Sequence, residues 1–267
     1  MDLELKGRRA LVTGSSSGIG ECIARTLVEE GAAVVVHGRD RERTSRVASD
    51  IGAAGVAIGD LSTDEGAAAV FAEARAALGY DIEILINNAG GNSSGNSSQP
   101  PLSIAAPDYL ANYNANTLSA VRLANLAVPA MVAAGWGRVI NVSSAVAIQP
   151  NAMGSDYSGA KAALNNFTVS LAGSLKATGV TVNTITPGIV MVEGMIRWGR
   201  ARYGDDGLSI EEITRRMAAD GIFDLPPAGR LGQPDEVALV ACMLASPLLG
   251  YVTGSNYRVD GGQIRSV

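Results

Sequence analysis

Cysteine, histidine and lysine are all scarce in this chain, and each scarcity closes off a class of chemistry. Its 267 residues include two cysteines, Cys22 and Cys242, without CxxC spacing, so neither a disulfide framework nor a thiolate metal centre is expected and both read as buried filler. The single histidine, His37, ends an apolar run. Alone it cannot build a His-based zinc site, and it would have to serve as the only base in any Ser-His-Asp triad, so a structural role and no metal are expected. With a net charge of −5 and no basic cluster, the chain lacks the footprint of a nucleic-acid binder. No stretch approaches about 18 unbroken apolar residues, and the opening MDLELKGRRALVTG carries acids at once, so no membrane span and a cytoplasmic location are expected.

What is present is enough apolar residue, 47%, for one sizeable core, so a single domain over residues 1–267 is expected. One of only three lysines, Lys161, falls in the otherwise uncharged segment YSGAKAALNNF, four residues after Tyr157. Four residues is one helical turn, which puts both side chains on one face. A phenol with an unperturbed pKa of about 10 is a poor base at neutral pH, and an adjacent ammonium favours its phenolate. Upstream, the apolar run Val139, Ile140, Val142 reads as a buried strand, which places Ser144 at a strand end, where α/β proteins carry their chemistry.

In chain order, a strand at Ala10–Thr13 runs into GSSSGIG and then an apolar helical pattern to Gly31. Gly14, Gly18 and Gly20 permit a tight turn whose following helix start can hold a pyrophosphate. A second strand, Ala33–Val36, is followed by His37-Gly38-Arg39, where such folds read the adenosine ribose: an acid there bonds a 2′-hydroxyl, and an arginine suits a 2′-phosphate. Arg39 either holds that phosphate or simply opens the charged helix from Arg41 to Ile51. A third strand, Val56–Ile58, leads to Asp60-Leu61, with Ser62 or Thr63 as cap of the next helix. A fourth, Ile82–Ile86, runs into Asn87-Asn88-Ala89-Gly90 and then the polar loop GNSSGNSSQPP. One long helical pattern from Tyr109 to Ala134 carries Asn112, Asn114, Asn116 and Asn125, an unusual load of amides for a helix. Strand five (Arg138–Val142), a helix from near Tyr157 to about Thr178, strand six (Val180–Ile185) and a short last strand at Tyr257–Val259 complete the alternation. The expectation is a Rossmann-type, doubly wound parallel sheet of about seven strands, helices on both faces, ligands at the carboxyl ends. Residues 188–225 break the pattern and read as a long irregular substrate lid.

These motifs, TGSSSGIG at 13–20, Asp60-Leu61, NNAG at 87–90, Ser144 thirteen residues before YSGAK, PG at 187–188 and DGG at 260–262, resemble the short-chain dehydrogenase/reductase family along essentially the whole chain. The resemblance implies an oxidoreductase that passes a hydride between nicotinamide C4 and a ketone or secondary alcohol. It implies a tetrad of Asn116, Ser144, Tyr157 and Lys161, with Asn114 as the second candidate for the asparagine. Tyr157 is then the general acid and base, Ser144 holds the substrate oxygen, Lys161 lowers the tyrosine pKa and bonds the nicotinamide ribose, and Asn116 positions a water. The implied cofactor contacts are Gly14, Ser15, Ser16, Ser17, Gly18, Ile19 and Gly20 at the pyrophosphate, Asp60 and Leu61 at adenine, Asn88, Ala89 and Gly90 along the nucleotide, and Pro187, Gly188 and Val190 near the carboxamide.

Gly38 stands where NAD-preferring members carry aspartate and Arg39 follows it, which favours NADP(H) over NAD(H), while Ser17 replaces a basic residue common in NADP-dependent relatives. Val192 replaces a threonine that bonds the carboxamide. The chain also resembles 3-oxoacyl-carrier-protein reductases, but Ala134, Gly135 and Thr178 stand where those enzymes present basic residues to their carrier. Ala145, Val146, Ile148, Met153, Met191, Met195 and Trp198 make either an apolar substrate pocket or ordinary core, and Arg197, Arg200 and Arg202 either meet an anionic substituent or form an exposed basic stretch. The family's usual assembly implies a homo-oligomer, tetramer or dimer. A catalytically silent NADP(H) sensor is the alternative on the same fold.

Overall fold

The computed structural model describes residues 2–91 and 99–265, so residues 92–98 of the expected polar loop lie outside the described residues. Its strands are β1 (Arg9–Val12), β2 (Ala33–Gly38), β3 (Gly55–Ile58), β4 (Ile84–Asn87), β5 (Gly137–Val142), β6 (Val180–Pro187) and β7 (Asn256–Val259). They form one parallel sheet in the order β3-β2-β1-β4-β5-β6-β7. Successive side chains of a strand face opposite sides. Ala10 and Val12 therefore join the apolar layer beneath α1 (Gly18–Glu29), α2 (Arg41–Ile51) and α9 (Pro234–Ala245), while Leu11 joins the layer beneath α3 (Asp64–Leu78), α5 (Ser119–Ala133) and α6 (Ser155–Ser174). This is the doubly wound α/β domain the alternation predicts.

The order reverses between β1 and β4, so their carboxyl ends diverge and open a crevice, the usual ligand position in such sheets. Thr13 ties the two ends together: its Oγ1 donates to the Ile86 carbonyl at 3.2 Å and accepts from the Asn88 and Ala89 N–H groups at 3.0 and 2.9 Å. Thr63 caps α3 by accepting from the Gly66 N–H. Asp40 does the same for α2, at the Arg43 N–H.

Two expectations are corrected. The helix from Tyr109 to Ala134 is not one regular α-helix: α4 (Ala106–Tyr113) passes through a π-turn at Asn114–Leu118 into α5. A π-turn accommodates a residue too many for α-helical phase, and here that residue falls where the amides cluster. The segment 188–225 is not irregular either. It holds α7 (Glu193–Tyr203) and α8 (Ile210–Ala219), each with acids in its first turn and arginine in its last, packed over a small core of Met191, Leu208, Ile213, Met217 and Leu231.

Among the described residues no helix is long and apolar enough to cross a membrane. At the amino end of the sheet, Arg138 is buried, its guanidinium donating to the carbonyls of Gly137, Gly179, Ser246 and Pro247 and lying 4.5 Å from the Trp136 ring centroid. Cys242 is core, but Cys22 is only half-buried and hydrogen-bonds Asp235, so it links α1 to α9 as well as filling space.

Candidate active site and nucleotide cleft

The crevice is a cleft of about 440 Å³ whose walls include Gly14, Ser16, Ser17, Gly38, Arg39, Asp60, Leu61, Ala89 and Gly90. They come from the four loops that follow β1, β2, β3 and β4 at the carboxyl edge, so widely spaced sequence motifs meet in one place. Arg43, in the first turn of the charged helix α2 and not among the expected cofactor contacts, also lines it. Arg39 precedes α2 and its extended Asp40 cap, so helical phase does not tie it to Arg43, which carries no local signal of its own. Gly38 lets Ser16 and Thr44 pack closely at this end of the cleft, because a Cβ there would fall 2.8 Å from Ser16 Oγ and collide with Thr44.

His37 has the structural role expected of it. Its Nδ1 accepts from the Gly14 N–H at 3.0 Å and its Nε2 lies 3.2 Å from the Gly59 carbonyl, which fits the neutral tautomer with the proton on Nε2. Burial pushes its pKa down to about 4. Ser15 is likewise inside, donating to the Val12 carbonyl and accepting from the His37 N–H, so its side chain shapes the glycine loop and does not face the cleft. The Asn88 amide is spent on the carbonyls of Thr13 and Gly14. Asp60 is both turn residue and cleft wall: its carboxylate accepts from Ser62, which holds its pKa below the usual range.

Ser144, Tyr157 and Lys161 gather just beyond the Gly90 end. Burial raises the Tyr157 phenol pKa, and the neighbouring Ser144 hydroxyl pulls it back. Lys161 is buried, donates from Nζ to the Val142 carbonyl at 2.8 Å, and has its pKa lowered to about 8 by that burial. Nζ lies 5.9 Å from the Tyr157 ring centroid.

Gly90, at φ 151°, separates this group from Asn116: a Cβ there would meet the Asn116 carboxamide and come within 3.3 Å of Lys161 Nζ. Asn116 therefore faces the site. Asn114 does not, because it donates to the Ser62 carbonyl and accepts from Arg122. The Asn116 carboxamide is itself occupied, accepting from the Gly91 N–H and donating to the Gly91 carbonyl, each at 2.8 Å.

Pro187, Gly188 and Val190 stand at the end of β6, outside the walls of the cleft; Gly188 N–H donates to the Val259 carbonyl. Gly18, Ile19 and Gly20 open α1 behind the loop. Val192 rests against Gly18, with its Cγ1 3.5 Å from where a Cβ would stand.

Of the apolar candidates for a substrate pocket, Ala145 and Met191 are core, whereas Ile148, Met153 and Trp198 are exposed. The arginines of α7 are already engaged: Arg197 with Glu193, Arg200 with the Leu208 carbonyl, Arg202 with Asp220. Among the described residues, no group of three or more histidine, cysteine or acidic side chains is placed to hold a metal ion.

Residues 8–201 match the short chain dehydrogenase family profile. The chain is 34% identical to an uncharacterized oxidoreductase, YvaG, of Bacillus subtilis, with all of both chains covered. It is also 34% identical to a 3-oxoacyl-(acyl-carrier-protein) reductase of Pseudomonas aeruginosa, covering 99% of this chain and 100% of that one. Among solved structures it is similar to L-sorbose reductase of Gluconobacter frateurii complexed with NADPH and L-sorbose, at 32% identity, a TM-score of 0.88 and full coverage of both chains.

Proposed function

Since the chain belongs to the short-chain dehydrogenase family and is an oxidoreductase, we propose that it transfers a hydride between NADP(H) and a ketone or secondary alcohol, with Tyr157 as general acid and base. The observation that carries this reading is buried Lys161, its Nζ 5.9 Å from the Tyr157 ring centroid and against Gly90, at the inner end of a cleft whose outer end is lined by Arg39 and Arg43.

The cleft fits a dinucleotide phosphate. Gly14, Ser16, Ser17 and the start of α1 would hold the pyrophosphate, Asp60 and Leu61 the adenine, and Arg39 and Arg43 a 2′-phosphate, with no acid at Gly38 to repel it. The bound nicotinamide supplies or takes the hydride.

The chain's own residues would do the rest. Burial favours the protonated phenol, so Tyr157 enters a reduction as the proton donor, while Ser144 holds the substrate oxygen and lowers the cost of charge on Tyr157 once the proton has left. Lys161 would swing its ammonium from the Val142 carbonyl toward the nicotinamide ribose and Tyr157, and so lower the phenol pKa. Because the Asn116 amide is committed to Gly91, any water in the proton path would be held by its main chain.

The proposed substrate is a small molecule that enters between Ile148, Met153 and the α7–α8 segment, which serves as an ordered lid within a single nucleotide-binding domain. The protein acts in the cytoplasm and as a homo-oligomer in this reading.

Absorbance at 340 nm, followed with NADPH and NADH across a panel of ketones, tests the reading directly. Tyr157→Phe should reduce turnover by at least about a thousandfold, the scale on which proton transfer and electrostatic terms act together, and leave NADPH binding intact. Full activity in that variant would overturn the assignment. NADPH binding with no turnover of any carbonyl or alcohol would point instead to a sensor.

A further inference from the structure

Three side-chain hydrogen bonds join the asparagine-bearing helix to α6, the helix of Tyr157 and Lys161: Tyr109 Oη with Ser155 Oγ at 2.6 Å, Asn112 Nδ2 to Asp156 Oδ2 at 2.7 Å, and Thr117 Oγ1 to the Ala160 carbonyl at 2.7 Å. The middle one is unlike its neighbours. Asp156 immediately precedes Tyr157 and is 1% exposed, and its partner Asn112 is fully buried. A carboxyl group brought into the interior costs several kcal/mol by desolvation, and well-packed apolar residues usually serve stability as well or better.

A carboxamide is nearly symmetric in shape, so packing alone leaves it free to point either way; a carboxylate accepts and does not donate. Asp156 therefore turns the Asn112 amide nitrogen toward itself and the Asn112 oxygen away. That oxygen and the Asn112 main-chain carbonyl then face Asn116 Nδ2, at 3.4 and 3.0 Å. Asn116 is turned in the same sense, reinforced by its Nδ2 bond to the Gly91 carbonyl at 2.8 Å, which presents its oxygen to the Gly91 N–H at 2.8 Å and places its carboxamide against Gly90, opposite Lys161 Nζ. We infer that Asp156 is a positioning residue: through Asn112 it sets the polarity of two successive carboxamides and so fixes the Gly90–Gly91 wall of the catalytic group. The catalytic meaning of that wall rests on the function proposed for Tyr157 and Lys161; the polarity relay itself does not.

Two readouts test it: steady-state kinetics, and hydrogen exchange of the Gly91 amide in the ligand-free protein. Asp156→Ala and Asn112→Asp should each lower kcat about tenfold or more, with KM for NADPH within about twofold of wild type, and should speed Gly91 exchange about tenfold, the scale on which misplacement by a fraction of an ångström acts. The swapped variant Asn112→Asp/Asp156→Asn keeps an acceptor facing Asn116 and should recover both readouts to within about threefold of wild type. A role in packing alone predicts that Asp156→Ala lowers stability and leaves Gly91 exchange in the folded protein at the wild-type rate.

The inference is overturned if Asp156→Ala leaves kcat and Gly91 exchange within about twofold of wild type, or if the swapped variant is no better than Asn112→Asp. Should Asp156→Ala not fold, the Asn112→Asp and swapped variants, which conserve volume, decide the matter. If the wild type turns over no carbonyl or alcohol, the proposed function fails while the exchange comparison still decides the relay.

Discussion

Arg39, just before the Asp40 cap of α2, and Arg43, in the first turn of that helix, both line the mouth of the cleft, with no acid at Gly38. Charge-assisted hydrogen bonds from guanidinium to phosphate are strong and specific to the phosphorylated nucleotide. Replacing both arginines by alanine should therefore raise KM for NADPH about tenfold or more and leave KM for NADH nearly unchanged. Equal changes for the two nucleotides would show that the arginines do not read the 2′-phosphate. His37 gives a second prediction at this scale. Its folded pKa, about 4, lies below the unfolded value of about 6.5, so the unfolded chain binds the proton first and stability falls as pH drops from 6.5 toward 4. Between pH 7 and pH 4.5 this group should cost about 2 kcal/mol. Urea melts of wild type and His37→Gln at the two pH values would isolate that loss, which the variant should not show. The proximity of Tyr157 to Lys161 was legible from the Tyr-x-x-x-Lys spacing, and the strand end at Ser144 from the apolar run before it. Arg43 was not, because a charged side chain at the start of a helix reads as solvated until the loops opposite are in place. Nor was the pairing of Asp156 with Asn112, 44 residues apart, since no local pattern marks a side-chain bond between helices.

At the scale of elements, the strands were readable because parallel strands buried on both faces are near-continuous apolar runs, as in VVVHG and GRVINV. Helices α7 and α8 were missed because their apolar face is narrow: Gly199, Ile213 and Met217 are buried among arginines, glutamates and exposed Trp198. Yet Ser209 followed by Glu211 and Glu212 is a helix start, and Ser209 does accept from the Glu212 N–H. Because Met217 sits fully buried at the centre of the small core joining these helices, Met217→Ala should loosen that core by about 2–3 kcal/mol. The expected sign is faster limited proteolysis within residues 188–225 and a raised KM for the carbonyl substrate, with the nucleotide KM unchanged. Proteolysis at the wild-type rate would show that the segment is held by something other than this core.

Over the whole molecule, exposed apolar side chains stand in two places, beside the proposed substrate entrance at Ile148, Met153 and Trp198 and on the outer helices. The cleft lies along the carboxyl edge of the sheet, whereas Leu110, Tyr113, Leu126, Val132 and Val169 project from α4, α5 and α6 into solvent. Large side chains left exposed on neighbouring helices are what an association surface requires, and a homo-oligomer is the proposed arrangement. Sedimentation equilibrium of wild type should give a multiple of the 27.3 kDa chain mass, and Leu110→Glu/Val169→Glu should shift it toward the monomer. A monomeric wild type would sink the proposal. Composition bounded this scale only loosely: 47% hydrophobic residues announce a core, but which of them remain outside is settled by helix phase and by the other elements each helix meets.

The π-turn at Asn114–Leu118 behaves as an insertion scar inside a helix. Each residue of an α-helix advances about 100° and about 1.5 Å, so deleting one position within that turn would splice α4 and α5 into a single regular rod. The rod would carry Asn112 off Asp156 by the same rotation. In an alignment, a one-residue gap between Asn112 and Thr117 is therefore a change of active-site wiring, even though it looks like the smallest of length differences.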